Sequence, residues 1–294
     1  MKINCVVVTY NRLDLLKENL EMLDKQTFPL NHIVIINNCS TDGTEEYLKQ
    51  YANNPKYTVI KTEENVGGAG GFSLGLKTSV QLGCDYTWMM DDDTIPQLNA
   101  VEELIPAINE HQNIGFISSR VNWTDNTPHE LNRPKLVDGQ AEEAYPKCVS
   151  CSFVAVLVST QAVLKVGLPI KEFFIWCDDV EYTERIYHAG FNCYLAPKSI
   201  VVHKTATNYV QTIDKAPKNI AWRFYYQARN LAYMKRQKYS CKLFFYISVW
   251  SKYRRYKRRL KNRDESERAA FLDAVRRGTK DGLKFNPPIE YVKL

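Results

Sequence analysis

The sequence has no apolar run long enough to cross a lipid bilayer. A spanning helix needs about 20 consecutive apolar residues, whereas the longest candidate, residues 243–250, has eight. The apolar residues 5–8 are too few for the hydrophobic part of a secretory signal, and polar residues follow them directly. From these absences we expect a cytoplasmic protein without a membrane-spanning segment.

Two common cofactor motifs are also missing. Cys148 and Cys151 have the spacing of half a zinc site, but no second pair of Cys or His accompanies them. The glycine cluster at residues 67–71 (GGAGG) has Ser73 in place of the third glycine of a dinucleotide-binding fingerprint, and it follows the third predicted strand. This cluster is compatible with a tight strand-to-helix turn. We favour a ligand contact, because glycines allow close backbone approach and four exceed what a turn needs.

Strand and helix patterns alternate through the first 120 residues. Runs of β-branched and apolar residues predict five buried strands, at residues 3–9, 32–37, 57–62, 86–90 and 115–119. Helical spacing predicts helices between them, at residues 13–25, 71–82 and 98–109. A further helix opens at residues 41–44, with Thr41 or Asp42 as its N-cap. This alternation predicts an α/β fold with a mainly parallel central sheet and helices on both faces.

The pattern changes after Val121. Residues 122–146 are polar and rich in Pro, Asp, Asn and Glu, which indicates a long loop. Beyond it we predict strands at 153–159, 193–196 and 200–203, a short helix at 178–188, and helices from residue 217 to about 278. The chain therefore divides into a main domain, residues 1–215, and a C-terminal helical, basic region, residues 216–294.

Polar or glycine-rich segments follow four consecutive predicted strands. They lie at residues 9–12, 37–43, 64–72 and 91–93. In open α/β sheets ligands bind at the carboxyl ends of the strands, where such loops converge. The four segments together predict one ligand site.

Three adjacent carboxylates, Asp91, Asp92 and Asp93, end the fourth predicted strand. They could form a solvated loop. They could also bind a divalent cation, since hard oxygen ligands suit Mg²⁺ or Mn²⁺ and a cation would relieve their mutual repulsion. The other strand ends favour the second interpretation.

The second half supplies two more candidates. Asp178 and Asp179 follow an apolar run at a predicted helix start, where Asp is also a common cap. Two carboxylates plus Glu181 exceed what a cap needs, and one could act as a general base. His203 ends a strand and is either structural or a further metal ligand.

These segments together resemble family 2 glycosyltransferases of the GT-A fold. The matching pieces span residues 5–203 in the family's order: VVTYNR at 7–12, NCSTDGT at 38–44, MDDD at 90–93, WCDDVE at 176–181, and His203. The segments NVGGAGGF at 65–72 and WCDDVEY at 176–182 most resemble bacterial galactofuranosyltransferases, and related rhamnosyltransferases share a similar glycine segment. Residues 223–230 (RFYYQARN) resemble a stretch that follows the catalytic domain in this subgroup.

The resemblance implies a role for each matching residue. Asp91, Asp93 and His203 match ligands of Mn²⁺ or Mg²⁺, and Asp179, with Asp178 beside it, matches the catalytic base. Many members have an Asp where this chain has Asn37, whose amide can still pair with uracil. The residues expected at the nucleotide or donor are Thr9, Tyr10, Asn11, Arg12, Asn37, Asn38, Asp42, Asn65, Gly67, Gly68, Gly70, Gly71, Asp92 and Trp176. Asp92 is expected to face the nucleotide's sugar or the supporting shell, because it points to the opposite side of an extended chain.

The function implied is inverting transfer of galactofuranose from UDP-galactofuranose to a hydroxyl of a cell-surface glycan or lipid-linked oligosaccharide. Residues 1–120 would bind the donor, and residues 121–215 would carry the base and bind the acceptor. Three alternatives stay open: a rhamnosyltransferase using dTDP-rhamnose, a nucleotidyltransferase, and a non-catalytic sugar-nucleotide-binding or scaffold protein. The nucleotidyltransferase would need an early basic phosphate-binding loop, where only Arg12 is present.

Residues 252–263 hold eight basic side chains and no acid. They could form a solvated helical face or bind nucleic acid. With the aromatic residues just before them, they could also lie on an anionic membrane. We favour the membrane over nucleic acid, which places the protein at the inner face of the cell membrane. An oligomer is compatible with the sequence.

Overall fold

The fold is built around one eight-stranded sheet, described by a computed structural model that covers residues 1–209 and 212–293. The strands are β1 (Ile3–Thr9), β2 (His32–Asn37), β3 (Tyr57–Lys61), β4 (Tyr86–Asp91), β5 (Thr94–Pro96), β6 (Ile114–Asn122), β7 (Lys135–Leu136), β8 (Cys148–Ser150), β9 (Val156–Ser159) and β10 (Asn192–His203). The order across the large sheet is β3-β2-β1-β4-β9-β6-β10-β5, while β7 and β8 form a separate pair.

The sheet is mostly parallel, as predicted, with two antiparallel strands. Strands β3, β2, β1 and β4 run parallel, and so do β6 and β10. Strand β9 lies antiparallel between β4 and β6, and the short β5 is antiparallel to β10. Because β1, β2, β3 and β4 point the same way, their four predicted ligand-bearing ends meet along one edge.

Helices cover both faces of the sheet. They are α1 (Leu13–Asp24), α2 (Thr44–Leu48), α3 (Gly67–Gln81), α4 (Ile105–Glu110), α5 (Thr160–Val166), α6 (Asp178–His188), α7 (Arg223–Lys238), α8 (Lys242–Leu260) and α9 (Glu265–Gly282). Alternate residues of β1 point to opposite faces. Val7 therefore packs with Leu16 and Leu20 of α1, while Val6 and Val8 pack with the α3 side.

Several predicted boundaries are corrected by the structure. Helix α3 begins at Gly67 instead of residue 71, and α4 begins only at Ile105, after a 3-10 turn. The N-cap of α2 is Gly43, not Thr41 or Asp42. The strand predicted at 153–159 begins as a 3-10 turn, and the strands predicted at 193–196 and 200–203 are one strand with an irregular register.

Two glycines of α3 pack directly against β1. A Cβ at Gly71 would lie 2.6 Å from Val8 Cγ1, and one at Gly75 would lie 2.3 Å from Val6 Cγ1. Only glycine allows the helix to approach β1 this closely, so packing outweighs the low helix propensity of the cluster.

Helices α7, α8 and α9 form the predicted C-terminal helical extension. Helix α7 packs along α9, and a separate core of Phe224, Tyr256 and Phe271 joins the three helices. Within residues 1–209 and 212–293, no helix combines the length and the apolar character that a bilayer span requires.

Candidate active site

A cavity of about 950 Å³ opens at the carboxyl ends of β1 and β4. Thirteen of the predicted site residues line it: Tyr10, Arg12, Asn38, Asn65, Gly67, Gly68, Asp91, Asp92, Asp93, Trp176, Asp178, Asp179 and His203. Trp222, Arg223 and Gln227 of the C-terminal region line it as well, which the sequence analysis did not predict. The predicted donor half, base half and C-terminal region thus share one cavity.

The three predicted metal ligands converge in this cavity. One ligand atom each from Asp91, Asp93 and His203 lies within 4.8 Å of the others. Asp93 Oδ1 is 3.0 Å from His203 Nε2, yet this buried oxygen has no aligned hydrogen-bond donor among the described residues. Two carboxylates and an imidazole facing one point, with a buried oxygen left over, fit a divalent cation such as Mg²⁺ or Mn²⁺.

Asn132 fixes which nitrogen of His203 faces that point. Its Nδ2 donates to Ser152 Oγ at 2.9 Å, so its Oδ1 is the atom 2.9 Å from His203 Nδ1. An amide oxygen only accepts, so this contact favours the His203 tautomer with its proton on Nδ1, whose Nε2 lone pair would face a bound cation. Asn132 lies in a 3-10 turn within the polar segment 122–146. No local signal distinguishes it there from the neighbouring polar residues.

The carboxylates are strongly perturbed by their surroundings. Burial, with the nearby charge of Asp93, raises the pKa of Asp91 to about 7. Burial also raises the pKa of Asp92 to about 6 against the effect of Arg12. Burial acts the same way on Asp93, but contacts with His203 and Arg12 outweigh it and lower its pKa. Clustered carboxylates with opposed shifts are typical of a cation or functional site.

Asp92 is held by the end of β1. Its Oδ2 accepts hydrogen bonds from Thr9 Oγ1 at 2.7 Å and from the Tyr10 N–H at 3.2 Å. Arg12 contacts Asp93 and lies 3.5 Å from Asp92 Oδ1. Thr9 itself is buried and is not among the residues that line the cavity.

Three predicted donor residues stabilise loops and do not line the cavity. Asn37 Oδ1 accepts from the Ser40 N–H, Asn11 Oδ1 accepts from the Thr41 N–H, and Asp42 accepts from the Leu13 and Thr44 N–H groups. Asn38 lines the cavity and also holds the next loop. Its Nδ2 donates to Asn65 Oδ1 at 3.0 Å, and its Oδ1 accepts from the Val66 N–H at 2.9 Å.

The glycine cluster is divided between the cavity wall and the packed interior. Gly67 and Gly68 line the cavity, while Gly70 and Gly71 are buried and lie outside its lining. Gly67 has φ +72°, and a Cβ there would lie 2.1 Å from the carbonyl oxygen of Phe174. Both its left-handed backbone and this contact exclude a side chain.

Asp178 and Asp179 open α6 at the opposite wall. Helix α6 begins and ends where predicted, at Asp178 and His188. Burial raises the pKa of Asp178 well above its usual range and raises that of Asp179 to about 6. Asp179 Oδ1 accepts from the Val180 N–H at 2.7 Å. A carboxylate with a pKa near 6 is ionised at neutral pH and is basic enough for general-base chemistry.

The family model described as glycosyl transferase family 2 matches residues 5–155, just over half of the chain. The chain belongs to glycosyl transferase family 2. This membership confirms the resemblance found in the sequence, and similar solved structures confirm the mixed α/β GT-A fold.

Curated relatives include galactofuranosyltransferases and an N-acetylglucosaminyltransferase. The chain is 29% identical over 200 residues to galactofuranosyltransferase GlfT1 of Mycobacterium tuberculosis (strain ATCC 25618 / H37Rv), covering 63% of this chain and 64% of that protein. It is 31% identical over 114 residues to the poly(ribitol-phosphate) beta-N-acetylglucosaminyltransferase TarS of Staphylococcus aureus (strain MW2), covering 38% of this chain and 19% of TarS. The chain thus spans under two thirds of each relative.

Two solved structures have the same fold. GalNAc-T7 with UDP, GalNAc and Mn²⁺ superposes with a TM-score of 0.60 at 16% identity, over 79% of this chain and 51% of that one. S. aureus TarS 1-349 in complex with UDP superposes with a TM-score of 0.58 at 17% identity, over 97% of this chain and 92% of that one.

In this family 2 chain, helix α7 holds the loop that precedes α6. The loop has three non-glycine residues at positive φ: Phe174, Trp176 and Cys177. The buried Asn230 Nδ2 faces three of its carbonyl oxygens, those of residues 173, 175 and 176, at 3.0, 3.2 and 2.8 Å. Arg229 donates to the carbonyl oxygens of residues 172 and 173, and the Ala69 N–H donates to that of Phe174. The sequence motif at residues 223–230 gives no indication of this contact.

Proposed function

We propose that this protein is an inverting, metal-dependent glycosyltransferase that moves galactofuranose from UDP-galactofuranose to a hydroxyl of a cell-surface glycan or lipid-linked acceptor. One observation carries the proposal: the Asp91, Asp93 and His203 cluster and Asp179 line the same cavity. The similarity to GlfT1 supports the sugar. The structural relatives with UDP support the nucleotide.

The donor side of the proposed site lies along β1 and β4. Asp91, Asp93 and His203 would hold Mn²⁺ or Mg²⁺, which when bound neutralises charge on a leaving diphosphate. Asn38 and Asn65 line the cavity together with Gly67, and Gly68 leaves space for a ligand against the backbone. Asn37, Asn11 and Asp42 would act by holding these loops in place, given their hydrogen bonds to the backbone.

The acceptor side lies at Asp179. Its carboxylate would take the proton of the acceptor hydroxyl as the hydroxyl oxygen bonds to the anomeric carbon. The bond from that carbon to the diphosphate oxygen breaks at the same time, and the electron pair leaves with UDP. Attack from the face opposite UDP inverts the anomeric centre, and no covalent enzyme intermediate forms. Asp178, more deeply buried, would support Asp179 from beneath.

The test is a screen of UDP- and dTDP-sugars for hydrolysis and transfer, with Mn²⁺ or Mg²⁺, on wild type and Asp179→Asn. Wild type should turn over UDP-galactofuranose. The variant should bind UDP as wild type does and lose transfer. If wild type turned over only dTDP-rhamnose, the donor would be dTDP-rhamnose and not UDP-galactofuranose. If the variant kept its turnover, Asp179 would not be the base. UDP binding without turnover of any sugar would favour a non-catalytic sugar-nucleotide-binding protein.

We also propose that α8 rests on an anionic membrane at the inner face of the cell membrane. Its first half exposes five large apolar side chains: Leu243, Phe244, Tyr246, Ile247 and Trp250. Its second half exposes Arg254, Arg255, Lys257, Arg258 and Arg259. No carboxylate in the described part of the chain pairs with these five bases. An apolar surface beside unpaired positive charge matches the interface of an anionic bilayer.

Vesicle co-sedimentation tests this surface. Wild type should pellet with vesicles of phosphatidylglycerol and phosphatidylcholine but not with phosphatidylcholine alone. Ile247→Ser with Trp250→Ser, or Arg254→Gln with Arg258→Gln, should weaken pelleting, while Leu164→Ser, an exposed leucine on α5, should not. Equal pelleting of all variants would defeat the proposal.

A further inference from the structure

Arg223 is a cation in the cavity wall that has no hydrogen-bond acceptor or carboxylate partner among the described residues. Its guanidinium donates no hydrogen bond and forms no ion pair within residues 1–209 and 212–293, and its Nε is buried. Two other arginines of the C-terminal region do have acceptors. Arg229 donates to two carbonyl oxygens, and Arg263, whose Nε also lacks an acceptor, donates to those of Ile213 and Ala216 and pairs with Glu267. The buried Nε of Arg223 carries a cost, because burial removes water from this N–H without replacing its hydrogen bond.

Neighbouring groups offset this cost only in part. The Arg223 guanidinium lies 6.0 Å from the Trp176 ring centre and 5.4 Å from that of Trp222. Such contacts are worth about 0.5 to 2 kcal/mol. A second cation adds to the cost: burial lowers the pKa of Arg223, and the charge of Arg12 lowers it further. Two guanidiniums that repel each other therefore face one cavity.

We propose that Arg223 binds a phosphoryl group of a substrate in this cavity. A planar guanidinium with free N–H groups matches phosphate oxygens and would regain its missing hydrogen bonds there. The inference rests on the proposed glycosyltransferase function and assigns it a residue outside the matched motifs. Two substrates could supply the group, namely the donor's diphosphate or a phosphate on the acceptor.

The position of Arg223 is compatible with both sources. It faces Arg12, which contacts the carboxylates of the proposed metal site. It also lies against Trp176, three residues before the proposed base. Trp222 beside it is 45% exposed and lines the cavity, which gives an aromatic surface next to the charge. Aromatic faces stack on sugar rings or bases, so the pair would hold a phosphate joined to a ring.

Calorimetry separates the two sources. Wild type, Arg223→Gln, Arg223→Lys and the control Arg276→Gln, on an exposed face of α9, are titrated with uridine and UDP in Mn²⁺ and then with inorganic phosphate. If the donor supplies the group, Arg223→Gln weakens UDP binding by about tenfold or more and leaves uridine unchanged. If the acceptor supplies it, UDP binding is unchanged, and phosphate binding to the UDP-loaded protein is lost in Arg223→Gln. The Arg223→Lys variant keeps the charge, so its affinity should lie between those of wild type and Arg223→Gln.

Unchanged UDP and phosphate affinities in Arg223→Gln would overturn the inference. Failure of wild type to bind UDP would defeat the proposed function instead, and the phosphate titration would still compare the variants. If a variant does not fold, chemical modification of the wild-type protein provides a second test. UDP or phosphate should protect Arg223 from modification by phenylglyoxal, and equal modification with and without both ligands would also overturn the inference.

Discussion

Replacing Asn230 with Ala should disable the proposed base without contacting it. Asn230 lies on α7 and is not among the described residues that line the cavity. Its amide holds the carbonyl oxygens of residues 173, 175 and 176. Those residues belong to the loop that leads directly into Asp178 and Asp179, so loss of the amide should release the start of α6.

The magnitude follows from the contacts. Two amide hydrogens make about two full bonds, each worth about 1 kcal/mol, and the carbonyls left buried raise the loss to about 3 kcal/mol. The loop also keeps Phe174, Trp176 and Cys177 at positive φ, a conformation that costs of order 1 kcal/mol or more per residue. With its restraint gone, the loop should relax toward ordinary backbone angles. A displacement of about 1 Å at the proposed base can lower the rate about 100-fold.

The assay measures kcat and KM for transfer, the affinity for UDP, and the free energy of unfolding in urea. Asn230→Ala should lose about 3 kcal/mol of stability and about 100-fold in kcat, with UDP affinity within about twofold of wild type. Asn262→Ala, at an exposed position after α8, is the matched control and should change neither the free energy of unfolding nor kcat. A variant that is destabilised but keeps its kcat would refute the reasoning, because Asn230 would then support the fold and not the base.

Three further predictions concern the same site. Since burial raises the pKa of Asp179 to about 6, kcat should be level above that value and fall about tenfold per pH unit below it as the carboxylate is protonated; a flat profile to pH 5 would exclude Asp179 as the base. Asn132→Ala frees the Nδ1 proton of His203, so Mn²⁺ affinity, measured by calorimetry without substrate, should fall about 10- to 100-fold, and an unchanged affinity would contradict the assigned tautomer. Gly67→Ala should destabilise the protein by more than about 1 kcal/mol in urea, because a Cβ would meet the Phe174 carbonyl at 2.1 Å and φ is +72°; Gly68→Ala, with open space, is the control, and equal stabilities would be the contrary result.

The elements that the sequence predicted well are those with a local pattern. Strands β1 and β2 and helix α6 begin and end as predicted, because continuous β-branched runs and acidic caps act within a few residues. Strand β9 was predicted, but not that it runs antiparallel, since direction depends on the path of the chain around it. Helix α3 begins four residues before its predicted start, at Gly67, which packs against Phe174, a residue distant in sequence.

The residues of the candidate site also differ in how far the sequence predicts them. Motif residues such as Asp91, Asp93 and His203 are brought together as the sequence indicated. Residues that support them are not visible in any motif. Asn132 meets His203 across 71 positions, and Asn230 meets the loop before α6 across 54 to 57 positions. No periodicity or spacing links such pairs, so only the folded chain reveals them.

The contact of Gly67 with Phe174 has a consequence for engineering. The two segments that meet there are about 100 residues apart in the sequence, and a Cβ at Gly67 would lie 2.1 Å from the Phe174 carbonyl oxygen. A redesign that exchanges residues 64–72 to change the sugar accepted must therefore carry residues 173–177 from the same parent. Chimeras that take these two segments from different parents should fold poorly even when every individual motif is preserved. The two segments must therefore be exchanged together.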